Sequence, residues 1–269
     1  MSIYYFTFDM VSCDLVRFVD MNNLFEKITN NQKEIEKYKP FDKEILKQLK
    51  EYYRISFTYT SNALEGNSLT ESETKIVLED GITIGGKPIR DHQEALGHSE
   101  AYDLLYTLVQ KNTIDEHYIM ELHRLFYYRI DIKNAGTYRK VGVIVTGRDT
   151  VFPAPKELPS LMNSFITEIN SFKKEIHPVE CAALVHSKFV NIHPFIDGNG
   201  RCARLLMNLF LFKNNYPITI IPPIKRGEYL DVVYQGNNGD FKPFIHFLAE
   251  LVYESQKDYV RLLKNLQKK

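Results

Sequence analysis

The chain has 269 residues, 44% of them hydrophobic, which suffices for one compact body with a sizeable core. Its 34 lysines and arginines balance 34 aspartates and glutamates, so no positive field would gather a polynucleotide, and no nucleic-acid partner is expected. Three widely spaced cysteines without a CxxC pair argue against a disulfide framework or a structural zinc site; with no apolar run of membrane-spanning length, they predict a cytoplasmic protein with no membrane partner.

The N-terminal MSIYYFTFDMVSCDLVRF places acids inside its apolar run and no basic residue before Arg17, unlike a secretory signal. From Phe41, Ile45, Leu49, Tyr52 and Tyr53 recur at helical steps of three and four, and the pattern continues through Phe57 to Leu64 and stops at Gly66. Thr70 and Glu73 form a capping box that opens a helix over TESETKIVLED. The next stretch, GITIGGKP at 81 to 88, spells most of a phosphate loop. Pro88, however, stands where a hydroxyl must reach a metal, and helical KIVLED precedes it in place of a strand. It predicts a short hairpin turning at Gly85 and Gly86, with Lys87 on the surface.

Helices follow over EALGHSEAYDLLYTLVQ and DEHYIMELHRLFYY. At 141 to 152, VGVIVTGRDTVF changes to β-branched residues around a glycine-containing turn and predicts a β-hairpin, the clearest sheet-like element. Further helices are expected over LPSLMNSFITEINSF, VECAALVHSKFVNI and RCARLLMNLFLF, and from about Lys242 to Lys268.

Between two of these helices, both with broad apolar faces, lies HPFIDGNGRCAR, residues 193 to 204. Gly198 and Gly200 let the backbone approach a ligand where a helix starting near Arg201 exposes its unpaired amides, which makes an anion site backed by the positive helix end. Asn199 can offer its side-chain amide to the same anion. Arg201 and Arg204, three apart, both reach the first turn and can clamp separate phosphate oxygens. Asp197 is a hard carboxylate suited to magnesium held by one acid plus phosphate oxygens. His193 can accept a proton near neutral pH. Together these residues point to attack on a nucleotide phosphate. Cys202 reads as core, and His123, His177 and His186 lack zinc-site spacing.

HPFIDGNGRCAR matches at every defined position the signature HxFx(D/E)GNGRxxR, and on these residues the chain resembles the Fic family over most of its length. The resemblance implies a mainly α fold: a Fic-type helical core with a small β-hairpin flap and an N-terminal helical lobe. The expected division is an N-terminal helical region at 1–100, the core at 101–256 and a C-terminal helix end at 257–269. The implied activity is that of a protein adenylyltransferase, which moves AMP from ATP, with Mg2+, to a Ser, Thr or Tyr hydroxyl of a target protein. His193 would be the general base, Asp197 the magnesium ligand, and Gly198, Asn199 and Gly200 the anion hole. Arg201 and Arg204 would hold the outer phosphates. Gly200 stands where phosphorylating members of the superfamily carry a lysine, which weighs against phosphorylation. The flap residues Val143, Ile144, Val145 and Thr146 would pair with a target peptide as an added strand, docking the target on 143–152. Tyr229 and Asn237 fall where members contact adenine and ribose, and Leu230 departs from a second tyrosine found in some. The oligomeric state stays open, a homo-oligomer included.

A second stretch, TSNALEGN at 60 to 67, places Ser61 and Glu65 on one helix face and a carboxylate at a helix C-terminus, where the dipole disfavours it. It resembles the (S/T)xxxE(G/N) inhibitory helix of many Fic proteins, carried here by Ser61, Glu65 and Gly66. That resemblance implies auto-inhibition, with a bidentate pair between Glu65 and Arg204 that excludes the γ-phosphate. Two other readings stay open. One is a de-AMPylase or bifunctional enzyme in which Glu65 orients a water. The other is a nucleotide-sensing module that binds ATP without turnover, against which an intact His193 speaks.

Overall fold

The structure, a computed structural model, describes residues 8–144, 150–172 and 176–266, with side chains from residue 21 onward. Among the described residues the regular structure is helical. In chain order come α1 (Phe8–Glu36), α2 (Lys43–Ala63), α3 (Glu71–Glu79), α4 (Ile89–Leu108) and α5 (Glu116–Tyr127). They are followed by α6 (Leu158–Asn170), α7 (Pro178–Ile192), α8 (Asn199–Lys213), α9 (Arg226–Asn237) and α10 (Lys242–Leu266). Short polar side chains open several of them. Asp42 accepts from the Glu44 amide at α2, and Asp115 accepts from the Tyr118 amide at α5. The expected capping box opens α3: Thr70 Oγ1 accepts from the Glu73 amide at 3.2 Å and Glu73 Oε2 from the Thr70 amide at 2.8 Å.

The core is organised around α8. Every residue from Arg201 to Leu211 is buried, so this helix is covered on all sides and has no solvated face. It lies along α7 and also touches α2, α4 and α5, while α10 packs on α1, α7 and α9. One buried apolar cluster runs from Ile28 to Leu263 and includes Leu205, Leu206 and Leu209, each worth roughly 2 kcal/mol of transfer free energy. A rigid α7–α8 pair therefore holds the turn between them.

The structure differs from several of these expectations. α4 runs unbroken through residue 100 and α10 through residue 257. The hairpin at 141–152 is not seen as strands: 141–144 and 150–152 carry none, and Val145 and Thr146 lie outside the described residues. At 81–88 only a turn forms, closed by the Lys87 amide donating to Ile84 O at 3.3 Å. Lys87 is not a free surface lysine, because its ammonium meets the Ser68 carbonyl and, at 3.3 Å, Glu73. No helix among the described residues is long and apolar enough to cross a membrane.

Candidate active site

The turn between α7 and α8 is built from both ends. α7 stops at His193, whose backbone is left-handed (φ 50°, ψ 58°) and whose amide still donates to Phe189 O at 3.0 Å. A positive φ is uncommon outside glycine, although histidine tolerates it better than most residues. Gly198, at φ +81°, starts α8, and a Cβ there would lie 2.4 Å from the Phe126 ring, so no other residue fits. His123 supports the turn from α5. The Gly136 amide donates to its Nδ1 at 2.8 Å, leaving Nε2 to carry the proton toward Asp197 O at 3.1 Å. Burial pulls His123 down to about 4, so it stays neutral and keeps that tautomer.

Asn199 does not offer its amide to a ligand, contrary to the sequence expectation. Its Oδ1 accepts from Phe195 N and its Nδ2 donates to Phe195 O, both at 2.9 Å, so the side chain closes the turn on itself. What remains for an anion is the backbone: the amides of Asn199, Gly200 and Arg201 in the first turn of α8 have no acceptor within the helix.

His193 ends α7 at the other side of this turn. Its Nδ1 lies 3.3 Å from Val190 O, and a carbonyl only accepts, so Nδ1 carries the hydrogen and Nε2 the lone pair. Burial pulls its pKa down to about 4, opposed by the Val190 carbonyl and reinforced by Arg139. The imidazole is thus neutral at physiological pH, with Phe152 packed on it at 4.1 Å.

Arg204 is 1% exposed, and all three of its guanidinium nitrogens are engaged. Nε meets Ser61 Oγ at 3.0 Å and Nη1 the Tyr229 hydroxyl at 3.1 Å. Nη2 meets both Ser61 O and Glu65 Oε1 at 2.7 Å. The pair with Glu65 is made through one oxygen on Nη2 and is not bidentate, while Ser61 and Tyr229 take three of the other guanidinium hydrogens. Burial works against the charge on Glu65, but Arg204 and Arg201 together hold its carboxyl below the usual glutamate value. Glu65 Oε1 lies over the start of α8: a Cβ at Gly200 would be 2.3 Å from it. Gly66 follows the end of α2 at φ +95°.

Tyr229 is placed differently from the expected adenine contact. It is 4% exposed, with its hydroxyl shared between Arg204 and His186 Nε2 at 3.0 Å, so it props the arginine and offers no face to a base. Asn237, half-buried at the end of α9, points Nδ2 at Thr150 Oγ1 at 3.4 Å, while its buried Oδ1 takes no hydrogen bond. Val143 is half-buried, and Ile144 is 91% exposed.

Arg201 and Asp197 form a second charged group that also involves Glu94 and Arg90. Arg201 Nη1 lies 2.9 Å from Glu94 Oε1, yet neither Nη1 nor Nε finds an aligned acceptor, so this buried guanidinium keeps unused donors. Asp197 Oδ1 accepts from the Gly198 amide at 2.6 Å, and Arg90 Nη2 lies 2.8 Å from Oδ2. Arg90 also reaches Glu94 Oε1 at 3.1 Å. Glu65, Asp197, Arg90 and Arg201 line a cleft of about 190 Å³. Unused donors on Arg201 and free amides on α8 suit a polyphosphate. No group of three or more metal-ligating side chains occurs among the described residues; the partly exposed Asp197 suits a cation that takes its other ligands from phosphate and water. Sequence reading missed Arg90, Glu94, His123 and Arg139, since each acts on a partner far along the chain.

Among the described residues, a helical body whose turn runs from a neutral imidazole to a glycine-opened helix, with an arginine of that helix held by an acid from another, is the class that fold and site define. The chain belongs to the Fic/DOC family, whose model matches residues 113–211. It is 40% identical over 248 residues to a protein named protein adenylyltransferase Fic from Nematostella vectensis, covering 82% of this chain and 57% of that one. The chain thus spans little more than half of that curated relative. Among solved structures, Fic-1 (amino acids 134–508) from C. elegans superposes with a TM-score of 0.84 at 29% identity, over 95% of this chain and 76% of that one. A Fic domain containing signaling protein from Bacteroides thetaiotaomicron gives 0.80 at 29%, over 90% and 98%.

Proposed function

We propose that the chain is a protein adenylyltransferase that transfers AMP from ATP to a hydroxyl of a target protein and is held at rest by Glu65. One observation carries this reading: a neutral His193 with its lone pair on Nε2 ends α7 at one side of a short turn, the unpaired amides of α8 begin at the other, and Arg204 of that helix is already bound to a carboxylate. Names of the curated relatives support the reaction class.

In this reading the triphosphate lies on the amides of Asn199, Gly200 and Arg201, with Arg201 and Arg204 on the outer phosphates. His193 Nε2 takes the hydrogen of the target hydroxyl as its oxygen bonds to the α-phosphorus. The bond from that phosphorus to the oxygen bridging to the β-phosphate breaks, and pyrophosphate leaves. Asp197 would hold magnesium, which when bound neutralises phosphate charge and the departing pyrophosphate. Exposed Val141, Ile144 and Val151 support docking of an extended target segment on the flap at 143–152. Asn237, whose carbonyl oxygen takes no hydrogen bond among the described residues, would contact the ribose in this reading.

Labelled ATP tests the reaction. In Glu65→Gly protein, label from the α-phosphate should become protein-bound, label from the γ-phosphate should not, and His193→Ala should abolish incorporation. Incorporation of γ-label, or of neither, contradicts the reading. A second activity, removal of AMP, is favoured by the state of Glu65, an ionised and 37% exposed carboxylate that uses one oxygen on Arg204. Wild-type protein should then release AMP from a modified target while Glu65→Gly does not.

A further inference from the structure

Arg139 is 3% exposed, and among the described residues its guanidinium meets three backbone carbonyls. Nε donates to His193 O at 2.8 Å, Nη1 to Val141 O at 3.0 Å and Nη2 to Pro153 O at 2.6 Å. Its own amide donates to Pro194 O at 2.9 Å. A buried cation is costly, and burial pulls its pKa below the usual arginine value. Covering apolar surface does not call for such a group. Only a planar fork with donors in three directions holds three carbonyls at fixed angles. The three belong to the left-handed base residue and to the two feet of the flap segment. Phe152, next to the second foot, also packs on the His193 ring.

We propose that Arg139 is the positioning residue that fixes the described ends of the flap segment, at Val141 and Pro153, relative to the base, so that a hydroxyl presented by a docked target arrives at His193 Nε2. This inference depends on the adenylyltransferase reading. A lysine keeps the charge but brings one nitrogen to a site that uses three, and a misplacement of about 1 Å in such a geometry costs on the order of 100-fold in rate. Transfer to water needs the base but no flap.

The test compares Glu65→Gly with Glu65→Gly/Arg139→Lys, measuring protein-bound label and free AMP released from α-labelled ATP, together with equilibrium binding of a fluorescent ATP analogue. The expected result is nucleotide binding within about twofold, protein-bound label down about 30-fold or more, and AMP release reduced far less. Arg139→Met, which keeps the buried stem, replaces the lysine variant if that one does not fold, with the same pattern expected. It should also move the acid limb of AMP release upward, because removing the neighbouring charge makes His193 easier to protonate. Protein-bound label within twofold of the parent, or an equal fall in both products, overturns the proposal while leaving the reaction class intact. A parent that transfers no label to protein overturns both.

Discussion

Replacing Glu65 should move nucleotide affinity and protein stability in opposite directions. In the proposed reading ATP uses Arg204 only after the carboxylate leaves, so the apparent dissociation constant in the wild type would be the intrinsic one divided by the fraction with Arg204 released. A hydrogen bond to a charged group contributes about 1.5–3 kcal/mol, and with Glu65 37% exposed to solvent screening the lower figure applies. A difference of about 1.5 kcal/mol is roughly tenfold, so Glu65→Gln should bind Mg·ATP about tenfold tighter than wild type. Glu65→Gly should bind tighter again, because it also clears Oε1 from over the first turn of α8. Without nucleotide, the buried Arg204 keeps Ser61 and Tyr229 but loses its counter-charge, and Tm should fall by about 2–4 °C. Titration calorimetry and thermal unfolding at one ionic strength measure both. The pH sign is also fixed: a carboxyl held below its ordinary pKa contributes fully above the unfolded glutamate value and fades only as pH falls through the depressed one. Affinity should therefore not improve between pH 8 and 6. A Glu65→Gly protein that binds ATP within twofold of wild type refutes the reasoning.

In the proposed reading Arg90 competes with the cation at Asp197, and an exposed pair of this kind contributes up to about 1 kcal/mol, so Arg90→Gln should tighten Mn2+ by up to about fivefold at fixed nucleotide, read by electron paramagnetic resonance. Gly198→Ala sets a Cβ into the Phe126 ring at positive φ and should cost about 2–4 kcal/mol in chemical denaturation, with loss of nucleotide binding. Acid should destabilise the fold well above the carboxylate range. Burial holds His123, His177 and His193 down to about 4, so the unfolded chain binds protons that the native state lacks, and stability falls as pH drops from 6.5 toward 4. His123 alone accounts for about 2 kcal/mol at pH 5, and urea midpoints that stay flat from pH 7.5 to 5 would contradict this.

Local patterns in the sequence reveal much of this architecture. The three-and-four spacing of α2, the capping box of α3 and the apolar faces of α7 and α8 announce themselves in a few residues each. The 193–204 motif and the serine–glutamate pair at 61 and 65 pointed to the contact between Glu65 and Arg204 across 139 positions, through resemblance and not through spacing. What stayed hidden depends on which way a side chain turns. Asn199 has the same formula whether its amide faces an anion or Phe195, and the tightness of the turn decides it. Tyr229 on an amphipathic helix gives no sign that its hydroxyl will meet a buried guanidinium. Arg90 acts on Asp197 across 107 positions and Arg139 on His193 across 54, distances over which no periodicity speaks. Burial of Arg139 among carbonyls runs against the ordinary expectation for an arginine near a glycine-rich loop.

Intact-mass analysis of purified Glu65→Gly protein, after incubation with ATP and magnesium, tests most directly whether the neutral imidazole and the freed helix start transfer AMP. The account predicts a species heavier by one adenylyl group that is absent from Glu65→Gly/His193→Ala protein treated in parallel. An adduct of phosphate mass, or an adenylyl adduct that persists without His193, would contradict it.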